Sequence, residues 1–287
     1  MEYSRVLLSL SAAFTLATSD AFTKKALASY NEYTVAWLRL VFALPLLLLI
    51  FLFIPLPKLD REFYMAFLLA LPLEILSIVL YMKSLRLSPL SLTLPFLALT
   101  PVFLIFVSYV MLGEKVSFFG VIGILLIAVG SYTLNISKVR KGVLEPFRAV
   151  AREKGSVLMI VVALIYSLTS SLGKMAIKHS SPLFFGISYY TALALFFTPI
   201  ALYKGKGIRK GTALSVLLPG VFYSFMVICH MIAISLAKVA YVISIKRMSI
   251  LVSVVYGYYV FKEENIRERL FGSLLMIIGF VIIVTSA

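Results

Sequence analysis

Carboxylates, cysteine and histidine are all scarce in this sequence, with 12 Asp+Glu, one Cys and two His among 287 residues. A lone Cys229 excludes an intramolecular disulfide and any cysteine-cluster metal site, and its place inside an apolar run marks it as a small packing residue. The two histidines, His179 and His230, join no clustered motif. Paired aspartates for a divalent metal, a histidine beside a carboxylate and a serine–histidine pair are all missing, which argues against a membrane-embedded phosphatase or lipid transferase. The pattern GxxxxGK[ST] is absent too, so ATP-driven transport would need another subunit. Neither a cofactor nor a bound metal is expected. The first apolar run has no strongly basic start and no clear small-residue cleavage site, so it is expected to remain as the first helix.

What the sequence has in abundance is apolar side chains. The hydrophobic fraction is 62% and the mean hydropathy +1.04, against roughly 45–50% apolar residues in soluble domains. The apolar residues fall in runs of about 20, the length at which a helix rising about 1.5 Å per residue matches the roughly 30 Å hydrocarbon core of a bilayer. Ten membrane helices are predicted, at about 4–24, 33–54, 63–86, 89–112, 117–136, 155–177, 183–203, 212–237, 240–261 and 267–286. The expected fold class is therefore all-α and polytopic, with no sizeable soluble domain. The formal net charge of +15 fits basic residues flanking helices beside anionic lipid, and nucleic acid is not an expected partner.

The chain repeats itself. Glu114 and Glu263 close the fourth and ninth spans, and 263 − 114 = 149. The same shift carries Lys25 to Lys174, Met82 to Met231, Leu87 to Leu236, Gly123 to Gly272 and Gly130 to Gly279. Two five-helix repeats, 1–137 and 155–287, are joined by a basic linker, 138–154, which has room for a short surface helix. Five is odd, so the two repeats enter the membrane from opposite sides. Inverted repeats around a pseudo-two-fold axis are an architecture of secondary transporters, because exchanging the conformations of two similar halves opens a central site to one side and then the other.

The closing segments carry a recognisable pattern. GEKVSFFGVIGILLIAVGSYTL runs from Gly113, with Gly120, Gly123 and Gly130 spaced along it, and KEENIRERLFGSLLMIIGFVII from Lys262 is its second copy. With Lys25 and Lys174 ending helices one and six, Arg39 near the start of helix two and Pro101 in helix four, the chain resembles the EamA family of the drug/metabolite transporter superfamily. Lys262 stands where the first half has glycine, and Ile250 where it has Pro101. The resemblance implies ten helices, alternating access and the export or exchange of small metabolites. The glycines themselves are expected to pack helix against helix.

Ionisable groups at membrane depth cost roughly 2.5–3.5 kcal/mol or more and mostly line a pathway or pair with each other. Asp20, Arg39, Glu74, His230, Lys246 and Arg247 are of this kind. Glu74 and Tyr81 share one face of helix three, and the shift of 149 maps them onto Tyr223 and His230 of helix eight, which suggests two walls of a central cavity. Lys246 and Arg247 lie six and seven residues beyond Ala240, roughly 9–10 Å into the core at 1.5 Å per residue. With Ser249, Ser253 and Tyr256, Lys246 forms a polar stripe. Two cations at that depth need an anion: a substrate, a lipid phosphate, or Glu74 or Asp20. The Lys246-Arg247 pair resembles the phosphate-binding pair in the ninth helix of plastid sugar-phosphate translocators, and Thr93 matches a threonine of that site. Leu97 stands where that branch has a further lysine. Ser11, Thr15, Thr18 and Lys25 of helix one, and Ser167, Ser171, Lys174 and Lys178 of helix six, are expected as secondary lining.

These readings converge on a secondary transporter for a small polar, anionic metabolite. Lys246, Arg247, Glu74, Tyr81, Thr93, Tyr223, His230 and Ser249 are its expected substrate contacts, and Glu74 or Asp20 its coupling residue. A lipid-anion flippase would use the same cations and is the alternative. The expected setting is the cytoplasmic membrane of a prokaryote, with the lipid bilayer and a small metabolite as partners and a homodimer left open. The basic linker and the loop with Lys204, Lys206, Arg209 and Lys210 lie opposite the termini, so the positive-inside rule puts the termini outside, whereas the family resemblance puts them in the cytoplasm.

Overall fold

The structure, a computed structural model, describes residues 2–133, 153–205, 210–261 and 266–286. The described residues form helices joined by short links, with no strand among them. In order these are α1 (Glu2–Leu27), α2 (Glu32–Phe51), α3 (Arg61–Leu87), α4 (Leu90–Thr93), a 3-10 segment (Leu94–Ala98), α5 (Leu99–Leu112), α6 (Phe118–Thr133), α7 (Lys154–Lys178), α8 (Pro182–Lys204), α9 (Lys210–Leu236), α10 (Val239–Lys246), α11 (Ser249–Phe261) and α12 (Ile266–Ser286). Eight helical stretches among the described residues are long and apolar enough to cross a membrane, counting Leu94–Leu112 and Val239–Phe261 as one each. Phe118–Ser131 and Gly272–Thr285 are shorter apolar helices. Bulky apolar side chains such as Phe106, Leu195, Leu202 and Leu214 are exposed on the outside, as a lipid-facing surface requires.

Local chemistry sets the helix ends. Asn31, Asp60, Glu153 and Ser181 each accept a hydrogen bond from a backbone N–H in the first turn of the helix that follows, filling a donor the helix itself leaves open. The backbone N–H of Phe63 and then the His179 ring hold the Asp60 carboxyl below its usual range. At Gly113, φ is +67°, a left-handed conformation that costs glycine little, and α5 stops there. The fourth span breaks at its 3-10 segment, where Pro95 removes a backbone donor. The ninth breaks without a proline. There the N–H groups of Met248, Ile250 and Leu251 bond to carbonyls three residues back, so the chain tightens between α10 and α11. The sequence reading had a continuous ninth helix.

The two halves interlock. α1 packs chiefly on α9 and α7 on α3, the repeat-related pairs, while α6 and α12 pack on each other. A Cβ on Gly123 would stand 2.8 Å from the carbonyl oxygen of Gly279, and one on Gly130 would stand 2.6 Å from that of Gly272. Each glycine therefore faces the repeat counterpart of the other, the pattern of two equivalent helices crossing antiparallel on a local two-fold axis. α1 and α7 run antiparallel as well. Lys24, near the end of α1, donates to the carbonyls of Leu85 and Ser88, and Gly155, at the start of α7, accepts from the Ser84 hydroxyl. At the opposite end Lys174, late in α7, donates to the Ala237 carbonyl at 2.5 Å, and Ala237 shares a crevice with Arg5 and Ser9 of α1. Lys174 is the shifted counterpart of Lys25, but Lys25 is exposed and its neighbour Lys24 supplies the matching contact. Glu263 and most of the basic linker lie outside the described residues.

Candidate functional site

Where the halves meet lies a cavity of about 90 Å³, room for several water molecules. Its wall brings together α2, α3, α7, α8, α9 and the break between α10 and α11. Glu74, Tyr81, Tyr223, His230, Lys246 and Arg247 all line it. Two other expected contacts do not. Thr93 is buried and its hydroxyl is bonded at 3.1 Å to the Pro89 carbonyl of its own helix turn, and Ser249 is buried away from the cavity. The stripe beyond Lys246 faces α1 instead, where the Tyr256 and Thr18 hydroxyls meet at 2.9 Å.

The expected secondary lining is corrected in the same way. Ser167 and Ser171 turn back onto carbonyls of their own helix, Thr18 bonds to Phe14 and Tyr256, and Lys174 is engaged with Glu114. None of these lines the cavity, whereas Thr169, Ser170 and Gly173 of α7 do. Ser167, Ser171 and Lys174 are buried but turn away from the cavity, since several faces of α7 are buried at once, and Lys178, like Ser11 and Lys25 of α1, is exposed.

The buried charges sort into two groups. Asp20 and Arg39 form an ion pair at 3.1 Å, with both side chains almost wholly buried. Tyr81 donates to the other oxygen of Asp20 at 2.5 Å, and the Arg39 guanidinium lies 4.1 Å from the centre of the Tyr223 ring. One carboxylate is thus held by a cation and a phenol, and its cation is in turn covered by an aromatic face. Asp20 sits behind this wall and Arg39 faces the cavity.

Lys246 and Arg247 are different. Among the described residues no carboxylate lies within 4 Å of either one: Asp20 and Glu114 are taken by Arg39 and Lys174, and Glu74, across the cavity, is within electrostatic reach of Lys246 without forming an ion pair. The Lys246 ammonium donates instead to Nε2 of His230 at 3.1 Å, which leaves the proton of a neutral imidazole on Nδ1, where no partner is met. Arg247 is 2% exposed and donates from Nη2 to the Thr100 hydroxyl at 2.9 Å, while its Nε has no partner. The break between α10 and α11 puts both cations on the cavity wall. Glu74, 7% exposed, has the Thr169 hydroxyl as a hydrogen-bond partner and no ion pair within 4 Å among the described residues.

The aromatic part of the wall was not foreseen. Tyr166, Tyr189, Tyr190 and Phe185 line the cavity beside Tyr81 and Tyr223. Tyr189 stacks on Phe185 with ring centroids 5.1 Å apart, and Tyr190 meets Tyr223 edge-on at 5.5 Å. The adjacent pair Tyr189-Tyr190 in α8 was the available signal, two amphipathic rings at mid-span where plain apolar residues would serve lipid contact.

A protein of known crystal structure matches this chain with a TM-score of 0.76 over 99% of each chain. The two are 14% identical, so the likeness speaks for the fold. Altogether 29 chains of solved structures match, and no curated protein sequence does. The model of the EamA-like transporter family matches residues 4–136 and again residues 153–285. The two matched stretches are displaced by 153 − 4 = 149 residues, the offset found within the sequence. Two copies of one transporter module, matched across both halves of a helical membrane protein, show that the chain belongs to the EamA-like transporter family.

Proposed function

We propose that this protein is a secondary transporter that carries a small polar metabolite with an anionic group, by alternating access, through ten membrane crossings arranged as two inverted repeats. The reading rests above all on Lys246 and Arg247, two cations in the cavity wall with no carboxylate within 4 Å among the described residues. Buried cations are costly without a counter-charge, and an anionic solute supplies one. Arg247 offers a fork suited to phosphate or carboxylate, and Lys246 a compact point charge. Breaks in both the fourth and ninth helices support the reading, since interrupted helices commonly frame transporter sites. The antiparallel courses of α1 and α7, and of α6 and α12, support inversion.

Of the two coupling candidates, Asp20 is already held by Arg39 and Tyr81. Glu74, without an ion pair, is the carboxylate we assign to coupling. The test is uptake or counterflow in proteoliposomes together with binding by calorimetry, using organic phosphates and carboxylates as probes. Lys246→Met with Arg247→Met abolishes anion binding and leaves a folded protein if the reading holds. Anion binding unchanged in that double variant overturns it.

A further inference from the structure

Away from the cavity, helices from both halves converge on one aromatic ring at the membrane edge. Tyr33 is the second residue of α2, Lys83 lies four residues before the end of α3, and Lys204 is the last residue of α8. Lys83 Nζ lies 5.8 Å and Lys204 Nζ 5.6 Å from the centre of the Tyr33 ring. The start of α2 and the end of α8 are in close contact there. A Cβ on Gly205 would stand 2.7 Å from the Thr34 hydroxyl, and Trp37 Nε1 donates to the Thr198 hydroxyl at 2.9 Å. Two like charges thus share one ring, and among the described residues no carboxylate lies within 4 Å of either. Glu32, the acidic neighbour of Tyr33, is taken by Arg86. A ring face attracts an ammonium but does not neutralise it, so the pair lacks a counter-charge.

We propose that Lys83 and Lys204, grouped around Tyr33, bind the headgroup phosphate of an anionic phospholipid. None of the three lines the central cavity. Each lysine instead ends an apolar stripe. On α3, Leu76, Leu80 and Leu87 share a face with Lys83, and Leu76 and Leu87 are exposed. On α8, Phe196 and Ile200 precede Lys204 at intervals of four, and Phe196 is exposed. Acyl chains laid along these stripes bring a headgroup to the two ammonium groups. The basic linker 138–154 precedes α7, which starts at this end, and Lys206, Arg209 and Lys210 follow Lys204 in the sequence. Such an excess of Lys and Arg marks the side that faces anionic lipid, where basic pockets between membrane helices hold lipid headgroups. Snorkelling alone would carry each ammonium separately towards water rather than both onto one ring. Lys83 and Lys204 belong to different halves, so one headgroup would tie the halves together at this edge.

The experiment measures lipid binding to purified full-length protein in neutral detergent, by native mass spectrometry and thermal shift. The probes are dihexanoyl phosphatidylglycerol, dihexanoyl phosphatidylcholine and inorganic phosphate. Phosphatidylglycerol should bind about tenfold tighter than phosphatidylcholine, whose choline offsets the phosphate charge. Lys83→Gln with Lys204→Gln should weaken phosphatidylglycerol binding about tenfold or more, the worth of two lysines beside an anionic headgroup. Lys204→Gln alone, at an exposed position, should weaken it about threefold. That single variant decides the matter if the double variant does not fold. Lys58→Gln with Lys115→Gln removes the same charge from exposed positions at the opposite edge and should leave binding unchanged. Equal affinity for the two lipids, or an equal loss in both double variants, overturns the site in favour of diffuse surface charge. Inorganic phosphate that displaces phosphatidylglycerol at a similar concentration assigns the lysines to a free anion and overturns the lipid.

Discussion

The Lys174 ammonium lies 2.6 Å from the Glu114 carboxylate, and the two residues belong to different halves of the chain. The same carboxylate accepts the backbone N–H of Val239 at 2.9 Å, the first residue of α10, and the same ammonium donates to the Ala237 carbonyl. Glu114 therefore caps the helix that leads to Lys246 and Arg247 and ties it to α7. Both side chains are about 10% exposed, with 10% for Lys174 and 11% for Glu114, so removing either strands the other. Glu114→Gln or Lys174→Met is expected to cost about 3 kcal/mol. The double variant should cost clearly less than the two single losses added together, and a double-mutant cycle on thermal unfolding in detergent measures that difference.

The glycine crossing between α6 and α12 makes a steric prediction. A methyl group on Gly130 would stand 2.6 Å from the Gly272 carbonyl oxygen and 2.8 Å from the Met276 nitrogen, both backbone atoms that cannot swing aside. Gly130→Ala should destabilise the protein by about 1–3 kcal/mol through overpacking, and Gly130→Leu by more. Gly113→Ala has open space around it but a φ of +67°, so its cost should come from backbone strain alone, about 1 kcal/mol. Unfolding temperatures of the three variants check the order.

Arg39 is expected to act as a positioning residue for Asp20 and Tyr223. Arg39→Met leaves Asp20 buried with only the Tyr81 hydroxyl, and should lower stability by about 3 kcal/mol. Adding Asp20→Asn should restore much of that loss. Tyr81→Phe removes one hydrogen bond to a carboxylate and should cost about 1.5–3 kcal/mol. Thermal melts of the three variants test this, and full stability in Arg39→Met alone would contradict the pairing.

The Asp60 carboxyl gives a pH dependence at the membrane edge. The Phe63 N–H and the His179 ring hold its pKa below the ordinary aspartate value of 3.8. A depressed folded-state value means its contribution is complete above about pH 4 and is lost as the pH falls through the folded value. Asp60→Ala should therefore melt below the wild type at neutral pH, and the gap should close on acidification below 3.8. The two melting curves followed from pH 7 to pH 3 show whether it does.

Accessibility tests the inversion. On a background with Cys229 replaced by serine, cysteines at Lys58 and Lys115 should react with an impermeant thiol reagent from one face of the membrane. Cysteines at Ser29 and Lys204 should react from the other, because the contacts of Glu114, Lys174, Asp60 and His179 gather the first set of links at one end. Labelling of all four from the same side would exclude the arrangement.

Hydropathy and run length, read along the chain, already determine that this is a helical membrane protein, because spanning a bilayer is a local demand on about 20 consecutive residues. The offset of 149 likewise announces two copies of one unit, and the glycine spacing announces close helix contact, since both are properties of single segments. Burial of Arg247 and half-burial of Lys246 were legible from their depth in a span. Their freedom from carboxylates was not. Whether Asp20 meets Arg39 or Arg247 depends on how α1, α2 and the broken ninth helix are rotated about their axes, and no residue in any one of them encodes that angle. The break after Lys246 has no proline to announce it, and the tyrosine wall gathers residues from α3, α7, α8 and α9. Membrane burial follows from each helix by itself, whereas the cavity exists only between helices, where the rotation and crossing of distant segments decide which polar faces meet.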